Sequence, residues 1–174
     1  MSYTVFIPTA GTGSRLGVAT QYINKSLVEI NNKPIISHII DNFDKNSRFI
    51  IPIGHKGSDV KDYLKFAHPE LNIKTVSIDP YEGPGSSLGT TLSISKDYLQ
   101  EPFIFSSCDT ITNKIKYNLN ENWLGWDEVT ENSSYRTLDI KNELVVKINE
   151  KLESESLKAY IGLAGIKDYE IFWE

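Results

Sequence analysis

Near the start of the chain an arginine and a lysine stand in a glycine-rich stretch, TAGTGSRLGVATQYINKSL, from Thr9 to Leu27. Gly11, Gly13 and Gly17 tolerate positive φ, and successive backbone N–H groups can then turn towards one anion. Arg15, one of only three arginines in the chain, adds a planar fork of donors. Lys25 adds a compact point charge. Both suit phosphate oxygens. A stretch this long without helical periodicity is uncommon in a compact domain unless it binds something.

Two familiar phosphate-binding loops can be tested against it. The G-x-x-x-x-G-K-[ST] pattern is absent, because Leu16 stands where its second glycine must fall. The dinucleotide pattern G-x-G-x-x-G begins well at Gly11 and Gly13 but again meets Leu16, and Gly17 comes one residue late. That pattern also needs a helix to open at once, and VATQYINKSL carries no clear apolar stripe.

The stretch instead resembles the signature of the nucleotidyltransferases that activate sugar phosphates and related small phosphates, the pyrophosphorylase family. The resemblance rests on Gly11, Gly13, Arg15, Leu16, Thr20, Lys25, Leu27, Lys33 and Pro34, in the family's order and spacing. Asn24 departs from it, standing where the family commonly has proline. Further on, GPGSSLGTTL resembles the family's second glycine-rich loop, FSSCDT its metal-binding strand end, and VVKINEKLE its valine-to-Glu-Lys segment.

The resemblance implies an α/β fold, a Rossmann-like three-layer sandwich with a mostly parallel mixed sheet of the nucleotide-diphospho-sugar transferase type. It implies attack by a substrate phosphate oxygen on the α-phosphorus of a nucleoside triphosphate, with pyrophosphate leaving. Ala10, Gly11, Thr12, Gly13 and Ser14 would cradle the triphosphate. Arg15 would grip the leaving pyrophosphate, and Lys25 would sit between the α-phosphate and the attacking phosphate. Asp109 would hold Mg²⁺. Gly83, Gly85, Ser86 and Ser87 would allow close approach of base and ribose. Glu150 and Lys151 would contact the acceptor, expected to be a sugar 1-phosphate or another small precursor of cell-surface polysaccharide. CTP is favoured over UTP as the donor.

The elements that would position these residues can be read from patterning. Strands are expected at Tyr3–Pro8, Arg48–Gly54, Ile73–Ile78 and Pro102–Asp109, and helices over IISHIIDNF after Pro34, over SDVKDYLKFA with Ser58 as N-cap, and over LGTTLSISKDYL. Strand, loop and helix alternate through about residue 110, the pattern of an α/β domain with a mostly parallel sheet. Such sheets bind ligands beyond the carboxyl ends of their strands, where the opening loop, YEGPGSS and SCDT all fall. Beyond Asn113 the pattern changes. YNLNENWLGWDEVTENSS shows few clear elements. YRTLDI and ELVVKI flank KN as a hairpin, AYIGLAGI reads as a strand, and KDYEIFWE as the first turns of a helix. One domain is expected over residues 1–174, with a nucleotide-binding half at 1–112 and an acceptor-binding half at 113–174. Phe172 and Trp173 either dock back on the sheet or mark a C-terminally truncated chain.

Composition narrows the function classes. Hydrophobic residues make up 40% and charged residues 24% of the 174, as in an ordinary globular protein. No apolar run approaches the roughly 20 residues that span a bilayer. MSYTVFIP lacks the basic region and cleavage site of a signal peptide, and a single cysteine, Cys108, permits no intrachain disulfide, so a cytoplasmic location is expected. A net charge of −5 argues against general nucleic-acid binding yet allows a small phosphorylated ligand. Self-association is left open. His38, His55, Cys108 and the three tryptophans read as packing residues. Two rivals remain: a metal-dependent glycosyltransferase of similar fold, and a nucleotide-binding or subunit-interaction module without catalysis.

Overall fold

The structure is a computed structural model that describes residues 3–113 and 117–174; residues 114–116, inside the expected acceptor-binding half, lie outside the described residues, as do Met1 and Ser2. In chain order the strands are β1 Thr4–Phe6, β2 Glu29–Ile30, β3 Lys33–Pro34, β4 Arg48–Ile53, β5 Asn72–Ser77, β6 Phe103–Ser106, β7 Trp123–Glu128, β8 Thr137–Lys141, β9 Leu144–Asn149 and β10 Lys158–Ile166. The helices are α1 Ile35–Ile40, α2 Gly57–Ala67, α3 Leu88–Ser95 and α4 Tyr169–Phe172.

Eight strands form one mixed sheet in the order β5-β4-β1-β6-β10-β8-β9, with β7 added on β10, while β2 and β3 make a small ladder of their own. β5, β4, β1 and β6 are parallel, and β10 turns the sheet antiparallel where it meets β6. β1, β4 and β6 are apolar on both faces because helices cover both, whereas the edge strand β5 is half polar. Val5, Ile7, Phe49, Ile51 and Ile53 point to one face, against Ile36, Ile39 and Ile40 of α1 and Val60 and Leu64 of α2. Their neighbours Phe6, Ile50 and Phe103 point to the other, against Leu92 of α3 and Leu99. This is the period-two alternation of strands read out as two core layers.

Several boundaries differ from the sequence reading. Ser58 is not the N-cap of α2: the helix opens at Gly57 after Lys56 in a left-handed conformation, and the Ser58 hydroxyl donates to Asp59 instead. α1 stops at Ile40, because Phe43 N–H bonds to the carbonyl of Ile40 and tightens the chain into a turn. The hairpin turn falls on Asn142 and Glu143, one residue later than KN, both with positive φ. β7 is a full strand within the stretch that showed few clear elements, held by its ladder to β10 and by Tyr117, which stacks on Trp123 at 6.1 Å. The aromatic C-terminal residues dock back on the sheet: Trp173 stacks on Phe103 at 6.4 Å, and its indole N–H donates to the carbonyl of Leu99 at 3.1 Å. Among the described residues no helix is long and apolar enough to cross a membrane.

Candidate active site

A cleft of about 720 Å³ opens at the carboxyl ends of the parallel strands. One wall is the loop after β1, from Pro8 to Leu16, with Lys25. A second is the loop before α3, through Tyr81, Glu82, Gly83, Ser86 and Ser87. The third is the end of β6 with the turn beyond it: Phe105, Ser107, Cys108 and Asp109.

The first loop is rooted firmly before it opens. Ile7 and Thr9 N–H groups continue the β1 ladder onto the carbonyls of Ile50 and Pro52, and the Thr9 hydroxyl donates to Pro52 as well, at 2.7 Å. The stretch is not bare. It winds into 3-10 turns at Ser14–Thr20, broken at Gly17, and at Lys25–Leu27. The buried Thr20 closes it by donating its hydroxyl to the carbonyls of Gly13 and Gly17. Gly13 has φ +66°, and a Cβ there would lie 3.0 Å from Cβ of Lys25 and 3.1 Å from Cγ2 of Thr20. The glycine makes room for the lysine to pass beneath the loop.

Lys25 and Asp109, 84 residues apart in sequence, meet in the cleft as an ion pair whose side chains are 20% and 45% exposed. The other carboxylate oxygen of Asp109 accepts from the Ser107 hydroxyl at 2.6 Å. Burial pushes the Asp109 carboxyl up, but the hydrogen bonds from Lys25 and Ser107 and the charges of Lys25 and Arg15 outweigh it, holding the group below its ordinary 3.8. Cys108 is the reverse case: burial drives its thiol up to about 11, which favours the neutral thiol near neutral pH.

Of the residues singled out in the sequence, Ala10, Gly11, Thr12, Gly13, Ser14, Arg15, Lys25, Gly83, Ser86, Ser87 and Asp109 all line this one cleft. Gly85 does not, but its φ of +87° shapes the second loop, and its carbonyl accepts from Thr90. Glu150 and Lys151 lie outside the cleft lining, and Glu150 is engaged in a two-pronged pair with Arg136 at 2.9 and 3.0 Å. Lys33 pairs with Asp41 on the outside of α1.

The sequence reading places YEGPGSS and SCDT at this edge without singling out Tyr81, Glu82 or Thr110, and it misses Gly162. Tyr81 and Glu82 flank the second loop within the cleft. Gly162, at φ +75°, breaks the register of β10 so that its carbonyl receives the Ser107 N–H at 2.8 Å. A Cβ on Gly162 would come within 2.7 Å of the Ser107 hydroxyl oxygen. Thr110 adds a bond to the carbonyl of Ile161. A lone glycine inside AYIGLAGI was the available signal, since glycine within a strand often marks a bulge or close backbone approach.

The sheet order and the strand-end cleft define a class: α/β folds of the nucleotide-diphospho-sugar transferase type. A UDP-glucose pyrophosphorylase solved with UDP-glucose superposes with a TM-score of 0.81 at 18% identity, covering 99% of this chain and 78% of that one. The CTP:phosphocholine cytidylyltransferase of Streptococcus pneumoniae superposes with a TM-score of 0.79 at 22% identity, covering 94% and 70%. Within that class the chain belongs to the family of MobA-like NTP transferase domains, whose profile matches residues 5–117. A curated relative, the D-glycero-alpha-D-manno-heptose 1-phosphate guanylyltransferase of Campylobacter jejuni, is 26% identical over 148 residues, which cover 82% of this chain and 66% of the relative. The glycosyltransferase alternative gives way to this membership.

Proposed function

We propose that the chain is a nucleotidyltransferase that joins a nucleoside triphosphate to a small phosphorylated acceptor and releases pyrophosphate. The observation that carries this reading is the meeting of Lys25 and Asp109 beneath the glycine-rich loop, with Arg15 on the same cleft. Two polyanions must approach each other in such a reaction, so catalysis is mostly positioning and charge neutralisation. An acceptor phosphate oxygen forms a bond to the α-phosphorus as the bond to the bridging oxygen of pyrophosphate breaks. Backbone N–H groups from Ala10 to Ser14 hold the triphosphate, Arg15 holds the departing pyrophosphate, and Lys25 draws the attacking and attacked phosphates together. No side chain is needed as a covalent nucleophile.

Asp109 suits a hard divalent cation such as Mg²⁺. Each carboxylate oxygen takes one protein hydrogen bond, from Lys25 or Ser107, and keeps a further acceptor position. Asp109 would hold such a cation, which would supply charge neutralisation at the phosphates. A sugar 1-phosphate is the proposed acceptor, supported by the heptose 1-phosphate named for the Campylobacter relative. CTP, then UTP, is the proposed donor, and synthesis of cell-surface polysaccharide precursors in the cytoplasm the proposed setting. Residues 1–112 act as the nucleotide-binding half and 113–174 as the acceptor-binding half of one domain, where Glu150 and Lys151 reach the acceptor.

The position of Glu150 and Lys151 outside the cleft lining favours a second reading, a domain that binds nucleotide without transfer. Pyrophosphate release, measured with the four common triphosphates against a panel of phosphate acceptors, separates the two. Release that depends on the acceptor supports transfer; triphosphate binding with no release across the panel supports the second reading.

A further inference from the structure

We infer that Asn24 is a positioning residue, an amide clamp that fixes Lys25 relative to the ends of two strands. What Lys25 does in catalysis rests on the transferase reading above; where it is held does not.

The Asn24 side chain is wholly buried. A primary amide has two N–H donors and an oxygen with two lone pairs, and here all four are used. The side-chain nitrogen donates to the carbonyls of Thr9 at 2.9 Å and His55 at 2.6 Å. The side-chain oxygen accepts from the Ser26 N–H at 2.9 Å and the Ser26 hydroxyl at 2.8 Å. Thr9 lies just beyond β1 and His55 just beyond β4. Ser26 lies in the 3-10 turn that begins with Lys25, and Asn24 is the N-cap of that turn. One side chain therefore joins both strand ends to the turn that carries the lysine.

His55 shows that this is a junction. Its N–H bonds to the carbonyl of Ala10 at 2.8 Å, its carbonyl takes the Asn24 amide, and its ring bonds to the carbonyl of Thr20 at 3.2 Å. The glycine-rich loop leaves this residue at Ala10 and returns to it at Thr20 and Asn24. Lys25 is the next residue, so its starting point in the cleft is set by the clamp. The backbone of Asn24, at φ −64° and ψ 142°, is one that proline also adopts. Proline would keep the local path of the chain but could not bond to Thr9, His55 or Ser26. Asn24→Pro thus separates backbone stiffness from the clamp.

The test uses Asn24→Ala and Asn24→Pro in the full chain, with two readouts on folded protein. The first is steady-state pyrophosphate release. Asn24→Ala is expected to lower kcat by about 10-fold to 100-fold while KM for the triphosphate stays within about threefold. The second is activity-independent: the rate of acetylation of Lys25 relative to the exposed Lys65 of α2, followed by peptide mass spectrometry. It is expected to rise by roughly fivefold in Asn24→Ala as the lysine leaves its ion pair. Asn24→Pro is expected to show the same changes at roughly half that size or less on a logarithmic scale, and it carries the test if Asn24→Ala does not fold. Wild-type kcat and wild-type Lys25 labelling in a folded variant would overturn the clamp, even with a lowered melting temperature. If the wild-type protein releases no pyrophosphate from any triphosphate, the transferase reading fails, and Lys25 labelling alone decides the role of Asn24.

Discussion

The parallel block of β5, β4, β1 and β6 and the antiparallel block of β7 to β10 meet in one sheet but spend their apolar residues differently. β1 is buried along its length, and in β4 Phe49, Ile50 and Ile51 are fully covered. At the other edge β9 leaves Leu144, Val145, Val146 and Ile148 exposed at 69%, 38%, 54% and 53%. Crossover helices bury both faces of parallel strands and bring every βα loop to the same end of the sheet, where the cleft forms. Hairpin connections demand neither. The antiparallel block reaches the cleft through backbone: the Gly162 bulge in β10 receives Ser107 and steadies the segment that carries Asp109.

The contrast is sharpest in stability. Phe49→Ala in the parallel core should cost about 3–5 kcal/mol, whereas Leu144→Ser on β9 should fall within about 0.5 kcal/mol, both read by chemical denaturation. A loss of roughly 2 kcal/mol or more at Leu144 would show that the hairpin face is packed in solution, and the contrast would collapse. Next in size, Lys25→Ala should lower kcat on the order of 10²- to 10³-fold, as for loss of a charge-stabilising group, with little change in melting temperature. The joint between the blocks is tested by Gly162→Ala. The positive φ and the contact with Ser107 should cost about 1–3 kcal/mol, and turnover should fall with it. Unchanged stability and activity would mean that the bulge does not steady Asp109.

The smallest effect concerns pH. The Asp109 carboxyl is held below its ordinary 3.8 in the folded protein, so the stability it contributes is fully present above that value. That contribution is lost as pH falls through the lower folded value. Asp109→Asn should therefore flatten part of the acid limb of the melting temperature below about pH 4 and leave the limb near neutrality unchanged. An acid limb identical to wild type would show that the Lys25 and Ser107 bonds do not hold the carboxylate in solution.

Much of the candidate site was legible in the sequence because its chemistry resides in residue type and local spacing. Gly11, Gly13, Arg15 and Lys25 carry the spacing read as a phosphate loop, Asp109 follows an apolar strand, and all five line the one cleft. The parallel strands were legible for a related reason: fully buried strands read as short continuous apolar runs such as RFIIPI. What escaped depends on partners far along the chain. β7 has a mixed, glycine-broken sequence and is a strand because β10 lies beside it. Asn24 stands out in the sequence only as a departure from the family's proline, because its partners Thr9 and His55, the latter 31 residues on, are brought to it by the fold. Ser58 is a good N-cap residue by type, but the turn through Gly54 and Lys56 starts α2 two residues too early for it.

The most direct measurement is pyrophosphate release by the wild-type chain with each of the four common triphosphates, with and without sugar 1-phosphates and Mg²⁺. Release is expected to require both an acceptor and the metal, to be matched by a nucleoside diphosphate conjugate, and to be lost in Lys25→Ala. Tight triphosphate binding without any acceptor-dependent release, or full release in Lys25→Ala, would contradict the transferase reading.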